Sequence, residues 1–372
     1  MVENDFYLVK KPRTKPYIMQ IVVTMATLYV HFDKLSRSQS RFHGPLVYLF
    51  LCLRARAIGL FRVGSTGPRS LNKEQVRCAC SYKQKNGNTY IKPDWLHEHN
   101  DGKEYLPSYN IAPSDVTPVL IAGNRNEGIS KTSRVLKPMM WGIIPPWHKG
   151  DYKNHNLSTN NCRIENIKSS KLFNPILING GRCVIVVEGF YEWQTTIKFK
   201  IKQPYYIYAP QGDNIQVDDP ETWNNEFNET DGWKGIKLLH MAGLYHAWQH
   251  EGTIVYSYSV ITMESNDTLN WLHHRMPAIL DSQEQIDAWL DIHSVNSELA
   301  LSYLRSVKIL SWHQVSKEVN NSRYKSSNCN KRVTTEKKSK QKTLTSFFTK
   351  TEKRKYNDED NIINEECKKI KS

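Results

Sequence analysis

A glutamate between two aromatic residues is the first feature of this sequence that is suited to chemistry. The apolar run at residues 184–187 ends close to Gly189, and Glu192 then stands between Tyr191 and Trp193. Four to six aliphatic residues next to a glycine are typical of a strand buried on both faces. We therefore expect Glu192 just past the end of that strand, where partial desolvation disfavours its ionised form and suits it to acid–base catalysis near neutral pH.

Two other polar segments interrupt apolar sequence. Asn161 and Arg163 are two residues apart, so their side chains share one face if the segment is extended; an ordinary loop is the alternative. His273, His274 and Arg275 are consecutive at the end of a helical pattern, where they would bind phosphate, bind a metal or cap the helix. Because a histidine pair without a third ligand at known spacing does not define a metal site, we expect no metal.

A tryptophan stands at each end of the segment 141–147, around a Pro-Pro turn. Trp141 and Trp147 are compatible with the packing of a hairpin onto the core. They are equally compatible with a surface on which nucleobases stack. The sequence does not decide between these two interpretations.

The segments that must position these residues have mostly strand composition. Residues 205–208, 238–244 and 254–261 are rich in β-branched and aromatic residues between turns. Helical patterns are confined to four segments, at 72–84, 265–273, 283–289 and 297–304. We therefore predict an α+β fold, strand-dominated and closed or nearly closed into a barrel-like sheet, with a few peripheral helices.

The positive charge of the chain is concentrated at its ends. The net charge is +14, and residues 1–66 hold 10 Lys/Arg against 3 Asp/Glu, residues 322–372 hold 15 against 7, and residues 67–321 hold 26 against 27. A near-neutral middle excludes nucleic-acid binding through bulk charge, so any such binding there requires a local patch. The 372 residues suffice for one large domain with tails.

Cysteine usage indicates a reducing compartment. Seven cysteines occur at irregular spacing and without a CxxC pair, which indicates neither a zinc site nor a disulfide framework. Cys183 lies inside the apolar run, and we expect it in the core.

Residues 1–66 do not resemble the sequence that follows them. Their two apolar runs, at 18–30 and 45–61, are shorter than the roughly 20 residues that a membrane span needs. We predict no membrane association; a signal anchor at the first run, which follows Lys10, Lys11, Arg13 and Lys15, is the alternative. We expect segment 1–66 to lie outside the domain at 67–323.

The tail at 324–372 is rich in Lys, Ser, Thr and Asn and is predicted to be disordered. Within it, residues 341–348 match the sliding-clamp (PCNA) interaction box at Gln341, Leu344, Phe347 and Phe348. The three apolar residues fall on one side of a helical turn and fit an apolar pocket, while the glutamine adds a hydrogen bond. Neighbouring lysine clusters suit nuclear import, so we predict a nuclear protein at replication forks.

Seven motifs follow one another through the middle of the chain: PSYN at 107–110, WGIIPPW at 141–147, NNCR at 160–163, EGFYEW at 188–193, AGLYHAW at 242–248, HHRMPAIL at 273–280 and VNNSR at 319–323. In order and spacing they resemble the SRAP (SOS-response-associated peptidase) family over about residues 70–323. GFYEW and HHRMP are highly specific for it.

The resemblance implies binding of abasic sites in single-stranded DNA by a monomer that uses no cofactor. An amino-terminal cysteine of the family condenses with the ring-opened sugar and closes a thiazolidine, which shields the lesion as a DNA–protein crosslink. By position, Glu192 is the assisting acid/base, His273 protonates the carbonyl oxygen, and Asn161 orients cysteine and sugar.

The remaining residues carried over from the family would contact DNA. Arg163 and Arg275 correspond to arginines that grip the phosphates beside the lesion. Trp147 and Trp193 would stack or form the pocket wall, and Asn110 belongs to the PSYN motif at the same surface.

One departure from the family pattern bears on the chemistry. The family's domain begins Met-Cys-Gly-Arg, whereas this chain begins Met-Val-Glu-Asn and contains no Cys-Gly-Arg. We expect residues 1–66 to be a mistaken or alternative first exon; the alternative is a variant that binds abasic DNA without crosslinking it. A non-catalytic reader of single-stranded or modified DNA, and a cysteine-dependent autopeptidase, are further interpretations.

Overall fold

Strands dominate the computed structural model, which describes residues 70–84, 87–97, 100–123, 133–195 and 202–333. The helices in these ranges are α1 (Lys73–Ala79), α2 (Phe173–Ile178), α3 (Gln283–Leu290) and α4 (Ser297–Ser302). The strands are β1 (Tyr82–Lys83), β2 (Tyr90–Ile91), β3 (Asp94–Trp95), β4 (Val116–Ala122), β5 (Arg134–Trp141), β6 (Asn161–Arg163), β7 (Arg182–Val187), β8 (Gly189–Trp193), β9 (Pro204–Tyr208), β10 (Phe227–Asn228), β11 (Gly232–Trp233), β12 (Leu239–His250), β13 (Thr253–Glu264), β14 (Arg275–Pro277) and β15 (Ser311–Gln314). The strand-dominated α+β class predicted from the sequence is confirmed.

Five of these strands close into a barrel. Antiparallel pairing joins β13 to β12, β12 to β7, β7 to β4 and β4 to β5. Parallel pairing of β13 with β5 then closes the ring. β3 and β14 extend the same sheet beyond the ring. The barrel predicted from the sequence is therefore a closed one.

The apolar run of residues 184–187 lies in β7, and every residue of this strand is buried. Apolar residues at successive positions suit a strand whose two faces are both covered. Trp289 of α3 covers the outer side, where its indole N–H donates to the carbonyl of Cys183 at 2.9 Å. Cys183 itself is fully buried, as expected.

Gly189 begins a new strand, β8, instead of ending the buried segment as the sequence suggested. β8 leaves the barrel and joins a three-stranded sheet with β9 in the centre and β15 at the far edge. A side chain at Gly189 would lie 2.5 Å from the ring of Tyr206 and against the carbonyl of Ile207. Glycine therefore permits the close approach of β8 to β9.

Three of the four predicted helical segments contain a helix, namely α1, α3 and α4. The prediction for residues 265–273 is wrong, because these residues form hydrogen-bonded turns. Asn266 Oδ1 accepts from the N–H of Thr268 at 3.0 Å, and such local side-chain bonds compete with helix formation. Among the described residues, no helix has the length and apolar character that crossing a membrane requires.

The packed chain extends beyond the domain boundary that the sequence suggested at residue 323. Cys329 is fully buried, Asn330 donates its side-chain N–H to the carbonyl of Val217 at 2.9 Å, and Val315 forms a bridge with Arg332. A few anchored side chains hold this polar segment, which its composition does not reveal. The clamp-binding box at 341–348 and the segment 1–66 lie outside the described residues.

Candidate functional site

Glu192 lies within β8, and not beyond the end of a strand as its sequence context suggested. It pairs with Tyr205 of β9, which pairs in turn with Gln314 of β15. Opposed residues of antiparallel strands project to the same face, so these three side chains form one row across the sheet. Glu192 is 3% exposed, and its Oε1 accepts a hydrogen bond from the N–H of Trp193 at 3.1 Å.

A second buried carboxylate, Glu188, occupies the corner between β7 and β8. Its Oε1 accepts from the backbone N–H groups of Ser70 at 2.6 Å and Leu71 at 3.1 Å. The Ser70 hydroxyl lies 3.1 Å from both carboxylate oxygens. Glu188 thereby holds the first described residues of the domain beside β8, four positions before Glu192 in the chain.

The turns that precede β14 carry His273 to the end of β8. Thr195, just beyond β8, donates its N–H at 2.8 Å to the carbonyl of the residue before His273. Trp271 packs edge-on against Tyr205, with ring centroids 5.0 Å apart. Because Tyr205 is the register partner of Glu192, these turns lie on the sheet face that carries the carboxyl group.

His273 is almost fully buried, with 6% of its surface exposed. Its Nδ1 lies 3.1 Å from the N–H and 3.2 Å from the carbonyl of Arg275, and the ring of His274 lies against it at 4.5 Å. Burial lowers the pKa of His273; the Arg275 carbonyl opposes this, and the charges of His274, Lys202 and Arg275 add to it. At neutral pH the imidazole is therefore unprotonated and able to exchange a proton.

Two short strands border the last residues of β13. β6 pairs in parallel with residues 260–262, and β14 pairs antiparallel with residues 262–264. β6 carries Asn161 and Arg163, and β14 begins with Arg275. The structure thus brings together, at one end of β13, polar residues that lie more than 110 positions apart in the sequence.

Asn161 stands in an extended segment and not in an ordinary loop, so it shares a face with Arg163. The indole N–H of Trp141 donates to the carbonyl of Asn160 at 2.9 Å and fixes the start of β6. Oδ1 and Nδ2 of Asn161 are both buried, and neither has a hydrogen-bond partner among the described residues. Since an unpaired buried amide is costly, a bound group that both donates and accepts here would remove that cost.

The two arginines of the site differ in their surroundings. Arg275 forms two contacts with the Glu165 carboxylate, at 2.6 and 3.0 Å, and donates to the carbonyl of Thr262 at 2.7 Å. The hydrogen bond from Arg275 lowers the pKa of Glu165. Arg163 is partly buried, and its charge, after burial and the charge of Arg275, lowers the pKa of His274. Phosphate binding by either arginine stays a prediction.

The two tryptophans of the WGIIPPW motif have opposite surroundings. Trp141 is buried in the core, as the packing interpretation expects, whereas Trp147 is 56% exposed, which leaves the stacking interpretation open for Trp147. Trp193 is partly buried, and its indole N–H donates to Oδ1 of Asn320 at 2.5 Å. Base stacking by Trp147 and Trp193 stays a prediction.

Asn110, expected at the DNA surface, lies in the interior with no exposed area. Its Nδ2 donates to the carbonyls of Val319, Asn321 and Tyr324, at 3.0 to 3.2 Å. Asn110 thus holds the segment of the VNNSR motif in place. Direct contact with DNA does not fit a fully buried side chain, so we assign Asn110 to this structural role.

All five cysteines in the described ranges are buried: Cys78, Cys80, Cys162, Cys183 and Cys329. Burial raises the pKa of Cys78, Cys162 and Cys183, and raises that of Cys329 to about 11. Because the thiolate is the reactive form, the raised pKa values of these four thiols disfavour a role as nucleophile. Within the same ranges, no group of three or more His, Cys, Asp or Glu side chains is placed to hold a metal ion.

Some residues of the site were not identified from the sequence. Tyr205 was recognised as a strand residue, and its place beside Glu192 follows from the register of β8 with β9. Trp271 lies in the segment 265–273, for which the sequence predicts a helix that does not form. Glu165 had no sequence signal, because its ion pair with Arg275 joins residues 110 positions apart.

The chain is similar to known proteins over the region that contains the motifs of the site. The family described as SOS response associated peptidase (SRAP) matches residues 75–322. Abasic site processing protein HMCES of Xenopus tropicalis is 39% identical over 264 residues, which cover 70% of this chain and 75% of the relative. The protein of the same name from Pongo abelii is 35% identical over 269 residues, 70% of this chain and 73% of the relative.

A bacterial relative is more distant. Abasic site processing protein YoaM of Bacillus subtilis (strain 168) is 30% identical over 202 residues, which cover 54% of this chain and 73% of the relative. The family match extends over more than half of the chain. This chain therefore belongs to the SRAP family.

Proposed function

We propose that this chain binds and processes abasic sites in single-stranded DNA. Its relatives in three organisms are named abasic site processing proteins. The observation that carries the proposal is the buried carboxamide of Asn161, which has no partner among the described residues and shares a strand face with Arg163. An abasic sugar offers both hydroxyl donors and a carbonyl acceptor to such an amide.

Glu192 and His273 supply the proton transfers of the proposed reaction. Opening of the sugar ring and condensation at its aldehyde require one group that takes a proton and one that gives it. Glu192 is a buried carboxyl group, and His273 is a buried imidazole with a lowered pKa. Since the turns that carry His273 lie on the sheet face of Glu192, the two groups act on one substrate.

The DNA backbone is held by a local positive patch and not by bulk charge. The patch consists of Arg163, Arg275 and Lys202, whose charges act on the imidazoles of the site. Phosphate contacts of this kind position a strand without reading its sequence. The exposed ring of Trp147 offers a stacking surface beside them.

The proposal also includes a covalent step, the crosslinking of the protein to the abasic site. The amine of an amino-terminal cysteine attacks the aldehyde carbon and loses water to form an imine. Its thiol then adds to the imine carbon, the thiol proton passes to nitrogen, and a thiazolidine closes. A version restarted as Met-Cys-Gly-Arg ahead of Ser70 supplies this cysteine once its initiator Met is removed.

A non-catalytic reader of single-stranded DNA is the second candidate. The burial of all five described cysteines favours it for the chain as written. A reader needs Asn161, the patch and the stacking surface, but no accessible thiol.

The test compares the chain as written with the restarted version. Each is mixed with a single-stranded oligonucleotide that contains one abasic site and with the intact oligonucleotide. We expect tighter binding to the abasic strand by both versions in fluorescence anisotropy, and a covalent band on a denaturing gel from the restarted version alone. Equal affinity for the two strands would refute abasic-site recognition. If the restarted version binds the abasic strand but gives no covalent band, the crosslinking step is refuted and the second candidate, a non-catalytic reader of single-stranded DNA, is supported.

We further propose that the box at 341–348 binds the sliding clamp (PCNA) and recruits a monomeric nuclear protein to replication forks. The box matches the motif at four positions in an otherwise polar tail. Replacing both Phe347 and Phe348 with Ala should abolish capture by immobilised clamp and leave DNA affinity unchanged. Unreduced capture of that variant would discard the box.

A further inference from the structure

Three aromatic rings form a shelf on the sheet face that carries Glu192. This aromatic shelf consists of Tyr205, Trp271 and Trp312. The ring of Trp271 lies 5.0 Å from that of Tyr205 and 5.6 Å from that of Trp312. Trp312 is 37% exposed, and the other two are partly buried. None of the three belongs to the motifs that carry the family resemblance.

Strand register places the shelf relative to Glu192. Tyr205 is the direct partner of Glu192, and Trp312 is the direct partner of Ile207. Residues two apart on β9 project to the same face, so Trp312 shares the face of Glu192. The shelf therefore begins one strand, about 5 Å, from the backbone of Glu192 and ends at the sheet edge, two strands or about 10 Å away.

Two of the three rings of the shelf are held in place by their polar ends. The indole N–H of Trp271 donates to the carbonyl of Thr268 at 2.9 Å. The hydroxyl of Tyr205 accepts from Nε2 of Gln314 at 2.9 Å. A single partly exposed aromatic side chain is ordinary on a protein surface. Here Trp271 contacts both other rings, at interplanar angles of 85° to Tyr205 and 45° to Trp312, so the two held rings support the partly exposed ring of Trp312.

A positive group borders the shelf on the side of His273. Lys202 is exposed, stands three residues before Tyr205, and is close enough for its charge to act on the His273 imidazole. A partly exposed aromatic ring with a cation near it matches a ligand that has a flat aromatic part and a negative charge next to it. An unpaired nucleotide has both.

We propose that the aromatic shelf binds an unpaired nucleobase of the DNA strand, on one side of the abasic sugar. This inference rests on the proposed function, because the stacked base belongs to the strand whose lesion lies at Glu192 and Asn161. The base stacks on the ring of Trp312, which Trp271 supports, and the adjoining phosphate meets Lys202. Every nucleobase has a π-face, so the shelf positions the strand without selecting its sequence.

The test combines a variant that lacks the Trp312 ring with DNA strands that lack a base beside the abasic position. Affinities of the full chain and of Trp312→Ala are measured by fluorescence anisotropy, with oligonucleotides that contain one tetrahydrofuran abasic analogue. In a second series, each nucleotide flanking the analogue is replaced in turn by a spacer without a base. We expect Trp312→Ala to lower affinity roughly 5- to 150-fold for the complete strand and to have no effect once the stacked base is missing.

Two further variants separate stacking from structural damage. Trp312→Phe keeps a π-face and should restore most of the affinity. Ile309→Ala removes an apolar side chain that is 78% exposed nearby in the chain, and it should change neither series. An equal loss for Trp312→Ala with and without each flanking base would overturn the proposal, and so would no loss in either series.

The same measurements include the intact oligonucleotide, so that failure of the shelf proposal can be distinguished from failure of the proposed function. Equal binding of intact and abasic strands by the unaltered chain counts against the proposed function. The dependence of the Trp312→Ala effect on the flanking base still decides the shelf in that case. Failure of the unaltered chain to bind any strand would overturn both.

Discussion

The barrel and the candidate site differ in what their buried polar groups contact. In the barrel, one guanidinium nitrogen of Arg182 on β7 donates at 2.8 Å to the carbonyls of Asp291 and Val295, while its Nε and Nη1 have no partner among the described residues. At the site, both polar side-chain atoms of Asn161 are buried without a partner in the described part of the chain, and burial lowers the pKa of His273. Both regions carry a cost for buried polar atoms; the barrel offsets it with the hydrogen bonds of Arg182 and aliphatic packing, whereas the site leaves the amide of Asn161 and the imidazole of His273 available to a bound group.

Glu188 and Glu192, four positions apart, show the same difference between a structural and a reactive buried group. Both carboxyl groups are almost fully buried. Glu188 accepts from two backbone N–H groups and a hydroxyl of residues 70 and 71, so it joins two distant parts of the chain. Glu192 lies on the face covered by the turns that carry His273. The first is placed for stability and the second for chemistry.

The largest expected effect is that of Glu192→Gln on the processing of abasic DNA. The amide keeps the shape of the side chain but neither takes nor gives a proton, so the rate of crosslinking by the restarted version should fall about 10²- to 10⁴-fold. Single-turnover gel assays measure this rate, and the affinity for the abasic strand should change little. A rate within threefold of the parent would remove Glu192 from the acid–base role.

Glu188→Gln is the matched control, which we expect to lower stability and leave the reaction rate nearly unchanged. Loss of the charged acceptor for Ser70 and Leu71 should lower the free energy of unfolding by about 1.5–3 kcal/mol in urea titration. The reaction rate of the folded fraction should stay close to the parent's. A rate loss as large as that of Glu192→Gln would end the contrast between the two carboxylates.

A smaller effect is expected from His240, a histidine of the barrel wall in β12. Burial, with the charge of Arg134, lowers its pKa from 6.5 to about 4. Between these values the unfolded chain binds a proton that the folded chain does not, so stability falls as the pH decreases from 6.5 towards 4. Between pH 7 and pH 5 the contribution of His240 is about 2 kcal/mol.

His240→Asn should remove that part of the pH dependence, measured by urea unfolding at both pH values. His293→Asn, at an exposed position, is the control and should leave the difference between the two pH values unchanged. An identical pH dependence for His240→Asn and the parent would show that His240 does not contribute.

Local sequence was sufficient where neighbours along the chain decide the structure. The aliphatic run at 184–187 predicted the buried strand β7, and the pattern at 283–289 predicted α3. Local sequence was not sufficient at Gly189, because this glycine permits the approach of Tyr206 from another strand. It failed again at 265–273, where the side chain of Asn266 binds backbone of its own turn and, at 2.7 Å, the carbonyl of Val307.

The sequence by itself determined the strand-dominated class, the family motifs and the residue types able to exchange protons or grip phosphate. Tertiary structure alone decided which of them meet. β6 lies beside β13, Arg275 reaches Glu165, and the register of β8, β9 and β15 puts Glu192 on one face with the aromatic shelf. The physical reason is that strand pairing joins segments far apart in the chain, and a shift of one residue in register turns each side chain to the opposite face.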